Sequence, residues 1–109
     1  MRQSGSGFGE RTISASFVPP SASSASVTSV AGSTSSVTLL AANGSRKGAL
    51  FVNDSTSDCY LKYGATASTS SFTVKISAGS FYNMPTPTFT GIIDCIWDSA
   101  TGSMLITEM

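Results

Sequence analysis

The chain contains no histidine. That removes the commonest general base, the usual activator of a serine or cysteine nucleophile, and the preferred neutral ligand of zinc. Charge is nearly as scarce. Six basic and six acidic residues make up 11% of 109 residues and balance to zero, against roughly 25% in an ordinary globular domain. A net charge of zero argues against nucleic acid as a partner, because phosphate binding needs clustered Lys and Arg. The one adjacent basic pair, Arg46-Lys47, reads as a solvated strand start. No stretch approaches the roughly 18 apolar residues of a membrane span. The first residues, MRQSGSGFGERTISASF, lack the apolar core of a secretory signal, so no membrane partner is expected and the chain is expected to stay in the cytoplasm. Its two cysteines, Cys59 and Cys95, are then expected to be free thiols.

What the chain has in excess is small polar residues, and they are unevenly placed. Residues 1–36 hold 15 Ser or Thr and three charges, Arg2, Glu10 and Arg11. Such a segment has too little apolar surface to offset the cost of its own ordering, about 1–2 kcal/mol per residue for the backbone alone. We read it as an extended arm that neighbouring chains must hold. Phe8, Ile13, Phe17 and Val18 are its candidate contacts, Pro19-Pro20 stiffens its exit, and its backbone is suited to exposed strand edges.

From residue 37 the pattern changes to period-2 alternation. Seven runs are expected as strands: 37–42, 48–53, 59–64, 71–77, 80–84, 92–98 and 103–109. The runs on either side of 54–58 and of 99–102 read as hairpins. Pro85 and Pro87 keep the segment between the fifth and sixth runs out of any central strand. No window has a helical period. Short strands at about ten-residue spacing predict an all-β fold, a small antiparallel β-sandwich or jelly-roll-like barrel over residues 37–109. Its expected core is Leu39, Phe51, Leu61, Phe72, Val74, Ile76, Ile93, Trp97 and Ile106. Cys59 and Cys95 fall on the same inner faces. A domain this small buries only about 60% of its unfolded surface, so both faces of its strands cannot be interior. The surplus apolar residues Leu50, Val52, Ile92 and Ile96 are candidate subunit contacts.

Sites for chemistry are weak by comparison. Asp94 and Asp98 would stand about 13 Å apart on one strand face, too far for carboxylate pairing at roughly 5–9.5 Å. Asp54-Ser-Thr-Ser-Asp58 begins like a calcium loop, but Cys59 and Ala65 occupy the places where Gly and Glu are needed; a turn held by Asn, Asp and hydroxyl groups fits it better. The glycines of residues 5–9 follow no strand and cradle no phosphate. The reading is therefore no enzyme, no cofactor and no metal. A competing class is a carbohydrate-binding adhesin module, with Trp97, Tyr60, Tyr63 and Tyr82 as stacking platforms.

Two stretches carry a resemblance: RKGALFVNDSTSDCYLKYGATASTSSFTVKI and FTGIIDCIWDSATGSMLITEM. Through Gly48, the turn at Asn53 to Thr56, Lys62, Gly64 and the run Gly91 to Trp97, residues 36–109 resemble small β-sandwich accessory proteins of tailed bacteriophage virions. These are the decoration or cement proteins of heads and the proteins of necks. The resemblance implies a structural virion protein that binds the major capsid protein or other virion proteins and stabilises the capsid between its subunits. A neck, collar or tail component is the alternative. It implies a homo-oligomer, trimer or dimer, and a virion assembled in the host cytoplasm. A disulfide between Cys59 and Cys95 stays open where their strands adjoin and the particle meets oxidants.

Overall fold

The computed structural model describes residues 21–109, and these form two four-stranded antiparallel sheets packed face to face. In chain order the strands are β1 (Ser26–Ala31), β2 (Val37–Leu40), β3 (Ala49–Asp54), β4 (Cys59–Tyr63), β5 (Val74–Ile76), β6 (Phe81–Asn83), β7 (Ile93–Trp97) and β8 (Ser103–Glu108). The first sheet has the order β1-β8-β3-β6 and the second β2-β7-β4-β5. The fold is thus the expected all-β sandwich. Its topology is also specific: β1 pairs with β8, β2 with β7, β3 with β6 and β4 with β5. Those pairs describe one long double strand rolled up on itself, and β3·β8 and β4·β7 close the roll. Eight strands wound in this way make a jelly roll.

The winding overturns two local expectations. β3 and β4 belong to different sheets, as do β7 and β8, so neither pair is a hairpin. Each short polar loop is an arch over the end of the sandwich. The β7–β8 arch needs Gly102, whose φ is +56° and where a Cβ would lie 2.2 Å from the Asp54 carbonyl oxygen. Among the described strands, only β4 and β5 are consecutive and pair directly.

β1 lies inside the segment read from sequence as arm, and it pairs with β8 through all six residues, Ser26↔Glu108 to Ala31↔Ser103. The sandwich therefore begins before residue 37. The proposed arm contacts Phe8, Ile13, Phe17 and Val18 lie outside the described residues.

The core holds Leu39, Phe51, Leu61, Ile76, Ile93, Trp97 and Ile106 as expected, together with Ala49, Met104 and both cysteines. Val74 is only partly buried, and Phe72 is 41% exposed. The run 71–77 is not a continuous strand. A Ser68↔Ser71 bridge and a bend at Thr73 interrupt it, so the alternation that starts at Val74 does not extend back to Phe72. Phe72 lies edge-on to Tyr60 instead, with ring centres 5.0 Å apart.

Polar groups fasten the two ends of the sandwich. At the arch end, Asn53 of β3 is fully buried. Its Nδ2 donates to the carbonyls of Ser57 and Ile76, and its Oδ1 accepts from Ser55 Oγ and Trp97 Nε1. One side chain thus joins the two sheets and completes the only Trp. At the opposite end Arg46 is 4% exposed. Its Nε donates to Glu108 Oε2 at 2.8 Å, and its two terminal nitrogens donate to the carbonyls of Phe89, Gly91 and Ala41 at 2.7–3.0 Å. The solvated reading of Arg46 is overturned. A planar fork with five donors can collect scattered carbonyls in this way, and a lysine cannot.

Candidate functional surface

The most coherent surface feature is the outer face of the first sheet. Along β1, β3, β6 and β8 the residues that alternate with the core point outward. Register places Ser29, Leu105, Val52 and Phe81 side by side in one row across all four strands. The next row is Val27, Thr107, Leu50 and Asn83. Phe81 is 69% exposed, Val27 70% and Leu105 38%, while Leu50 and Val52 are half-buried. The only charge these strands present outward is Asp54, in a third row with Ala31 and Ser103. Large apolar side chains on a sheet face with a single charge at its end mark a contact surface rather than a solvated one.

The four residues singled out from sequence as one set of sheet contacts divide between the two sheets. Leu50 and Val52 sit on the face just described. Ile96 is on the outer face of the second sheet, opposite Tyr60, and Ile92 immediately precedes β7. That second face is polar and partly covered. The segment 64–71 crosses it, held where the Thr66 amide donates to Asp94 Oδ2 at 2.7 Å and the Ala67 amide donates to Ser36 Oγ at 3.0 Å. Lys62 Nζ reaches Ser71 Oγ and the Thr66 carbonyl beside them. Thr66 takes a φ of 60° there. Val27, Phe81 and Leu105 were not picked out from sequence. Their signal is the cross-strand register, which single runs do not carry.

The structure also separates the groups considered for chemistry. Asp94 is buried beneath segment 64–71, and its Oδ1 has no hydrogen-bond partner among the described residues. Asp98 is exposed and accepts from Tyr60 Oη at 3.4 Å. The two carboxylates share no site. In the 54–58 turn, Ser55 Oγ donates to the Ser57 carbonyl and accepts from the Ser57 amide, and Asp58 pairs with Lys75 at 3.5 Å. The turn is closed by its own side chains, as a turn of Asn, Asp and hydroxyl groups would be. No group of three or more metal-ligating side chains occurs among the described residues.

The four aromatic residues proposed as stacking platforms, Trp97, Tyr60, Tyr63 and Tyr82, do not converge either. Trp97 is 2% exposed and faces the core. Tyr63 and Tyr82 share a 3.0 Å hydroxyl hydrogen bond between the sheets, and Tyr63 stacks on Phe89 at 4.8 Å. Burial and the Tyr82 hydroxyl hold the Tyr63 phenol well above its ordinary range. Of these four, Tyr60 alone is on the outside, under Lys75 and edge-on to the exposed Phe72. A crevice of about 400 Å³ opens at the Arg46 end, lined by Ser24, Ser26, Asn43, Ser45 and Glu108 among others. Its one carboxylate is already engaged by Arg46 and by Asn43 Nδ2.

Cys59 and Cys95 are buried and free on the paired strands β4 and β7. The Cys59 thiol beside it, and then burial, push the Cys95 thiol far above its usual range. A thiol so poor in thiolate is a core group and not a nucleophile.

No protein-family model, curated protein or solved structure matches the chain. No helix among the described residues is long and apolar enough to cross a membrane.

Proposed function

We propose that this chain is a structural virion protein of a tailed bacteriophage, one that decorates and stabilises the capsid by binding between its subunits. The observation that carries the reading is the outer face of the first sheet, where Val27, Leu105 and Phe81 are exposed around half-buried Val52 and the one charge, Asp54, stands in the end row. A jelly roll serves viral capsid and lectin domains alike, and fold alone does not choose between them. Two features favour assembly over recognition of a small ligand. The aromatic side chains a sugar would stack on are dispersed, with Trp97 in the core. The outer face of the first sheet spreads its apolar side chains over all four strands, as suits another protein. Within the virion, its partner is the major capsid protein or another structural protein, with the residues ahead of β1 as a second attachment.

The test is incorporation. Val52→Lys with Leu105→Lys places two charges at the centre of the face and leaves the core untouched. Circular dichroism should be unchanged and occupancy on purified particles should fall sharply. Full occupancy of the folded variant would remove the face from the contact. Specific glycan binding by the isolated wild-type chain would favour the adhesin class instead.

A further inference from the structure

A sheet edge is a row of unpaired amides and carbonyls that templates further pairing, and proteins blunt their edges for that reason. Among the described strands four lie at sheet edges, and three of these are blunted. β6 is three residues long and runs into Pro85 and Pro87; β5 is three residues long and centred on Lys75. β2 is broken by a register shift between Thr38 and Leu40. β1 differs from all three. Its sequence, SVTSVA, has no charge and no proline, and it holds unbroken register with β8 over six residues. Among the described residues its outer edge has no partner strand.

We infer that the edge of β1 accepts residues 12–18 of a second copy of this chain as an added strand. This rests on the reading of the N-terminal segment as a strap, and it names where the strap attaches. The sequence Thr-Ile-Ser-Ala-Ser-Phe-Val alternates, with Ile13, Ala15 and Phe17 on one side and Thr12, Ser14, Ser16 and, at its end, Val18 on the other. Seven residues match an edge of six. Added to β1, Ile13, Ala15 and Phe17 would continue the apolar outer face beyond Val27, and the hydroxyls would face the opposite way. Backbone pairing supplies the affinity in such an addition, and alternate side chains supply its specificity.

The connection decides between a second copy and a return onto the same chain. Residues 19–25, PPSASSA, contain no Gly, Asn or Asp, the residues that the two-residue turns of a tight hairpin demand. Pro19-Pro20 favours an extended path, and residues 21–25 hold a single bend, at Ser23, and no hydrogen-bonded turn. An extended connector of seven residues reaches up to about 23 Å, which carries the run away from its own β1. Reciprocal exchange between two chains closes a dimer, and a cyclic hand-over closes a trimer.

The experiment uses the isolated full-length chain, so it does not depend on the virion reading. Sedimentation equilibrium is run beside hydrogen exchange of the β1 amides, on wild type and two full-length variants. Ile13→Lys with Phe17→Lys charges the donated strand. Val27→Lys with Ser29→Lys charges the outward side of the accepting edge. Wild type should form dimers or trimers, in which the β1 amides exchange roughly tenfold or more slowly than after dilution to monomer. Each double variant should stay monomeric with unchanged circular dichroism. A wild type that is monomeric throughout, or association that survives either variant, would overturn the inference. So would β1 protection in a monomer, which would place residues 12–18 on their own chain's edge. A wild type that associates as described but is absent from purified particles would instead fault the capsid reading alone.

Discussion

Replacing Arg46 by alanine should be among the most damaging single changes in the sandwich. The side chain is fully enclosed, and its nitrogens serve the Glu108 carboxylate and the carbonyls of Ala41, Phe89 and Gly91. Truncation leaves all four acceptors without their donor. Each unsatisfied buried acceptor costs about 1–3 kcal/mol, but the space vacated admits water, and Glu108 keeps Asn43 Nδ2 and is 22% exposed. The four costs therefore do not add in full. Breaking one side of a buried pair typically costs about 3–5 kcal/mol, and we take that range. It is a large share of the roughly 5–15 kcal/mol that holds a typical domain together. In a domain of this size it lowers the melting temperature by roughly 10–40 °C. Urea titration followed by the fluorescence of Trp97, with circular dichroism beside it, measures the loss. Arg46→Lys should recover only part of it, because one ammonium can face Glu108 or the carbonyls but not all of them. A midpoint for Arg46→Ala within about 0.5 kcal/mol of wild type, the range of an ordinary surface change, would refute the enclosed clasp.

Trp97→Ala should cost about 3–5 kcal/mol, the usual loss for a large core aromatic, and a folded variant of unchanged stability would contradict its place between the sheets. Both cysteines should resist thiol reagents in the native chain and label fully under denaturing conditions without reductant; thiols that label only after reduction would show a disulfide. Gly102→Ala should destabilise the β7–β8 arch by roughly 1 kcal/mol or more, since alanine disfavours a positive φ and its Cβ meets the Asp54 carbonyl. A neutral result in urea titration would mean that the arch relaxes freely.

Local alternation located seven of the eight described strands and most of the core. It works because each strand between Val37 and Glu108 buries one face, and burial imposes the period. It failed where the physics is not local. β1 was missed because Val27 and Val30 point to opposite sides, so SVTSVA shows no apolar stripe; its place in the sheet comes from β8, which lies more than seventy residues away. The loops at 54–58 and 99–102 read as hairpins because a polar loop between two apolar runs looks the same whether the chain turns back in its own sheet or arches to the other. Arg46 looked solvated because its partners, Phe89, Gly91 and Glu108, come from distant segments. Asn53 left a faint trace, a polar residue at an inward position of an apolar run. The candidate surface was half legible: Leu50 and Val52 stand out as surplus apolar residues, but only register adds Leu105, Phe81 and Val27 to them.

The central claim is that this chain works as a fixed part of an assembled particle. It is tested most directly by fractionating a lysate that contains the complete particles on a density gradient and counting copies of the chain per particle by quantitative mass spectrometry. The account predicts that most of the chain migrates with the particles, at a constant ratio to the major capsid protein that survives repeated banding. A chain found mainly in the soluble fractions, or at a ratio that falls with each round of purification, would contradict it.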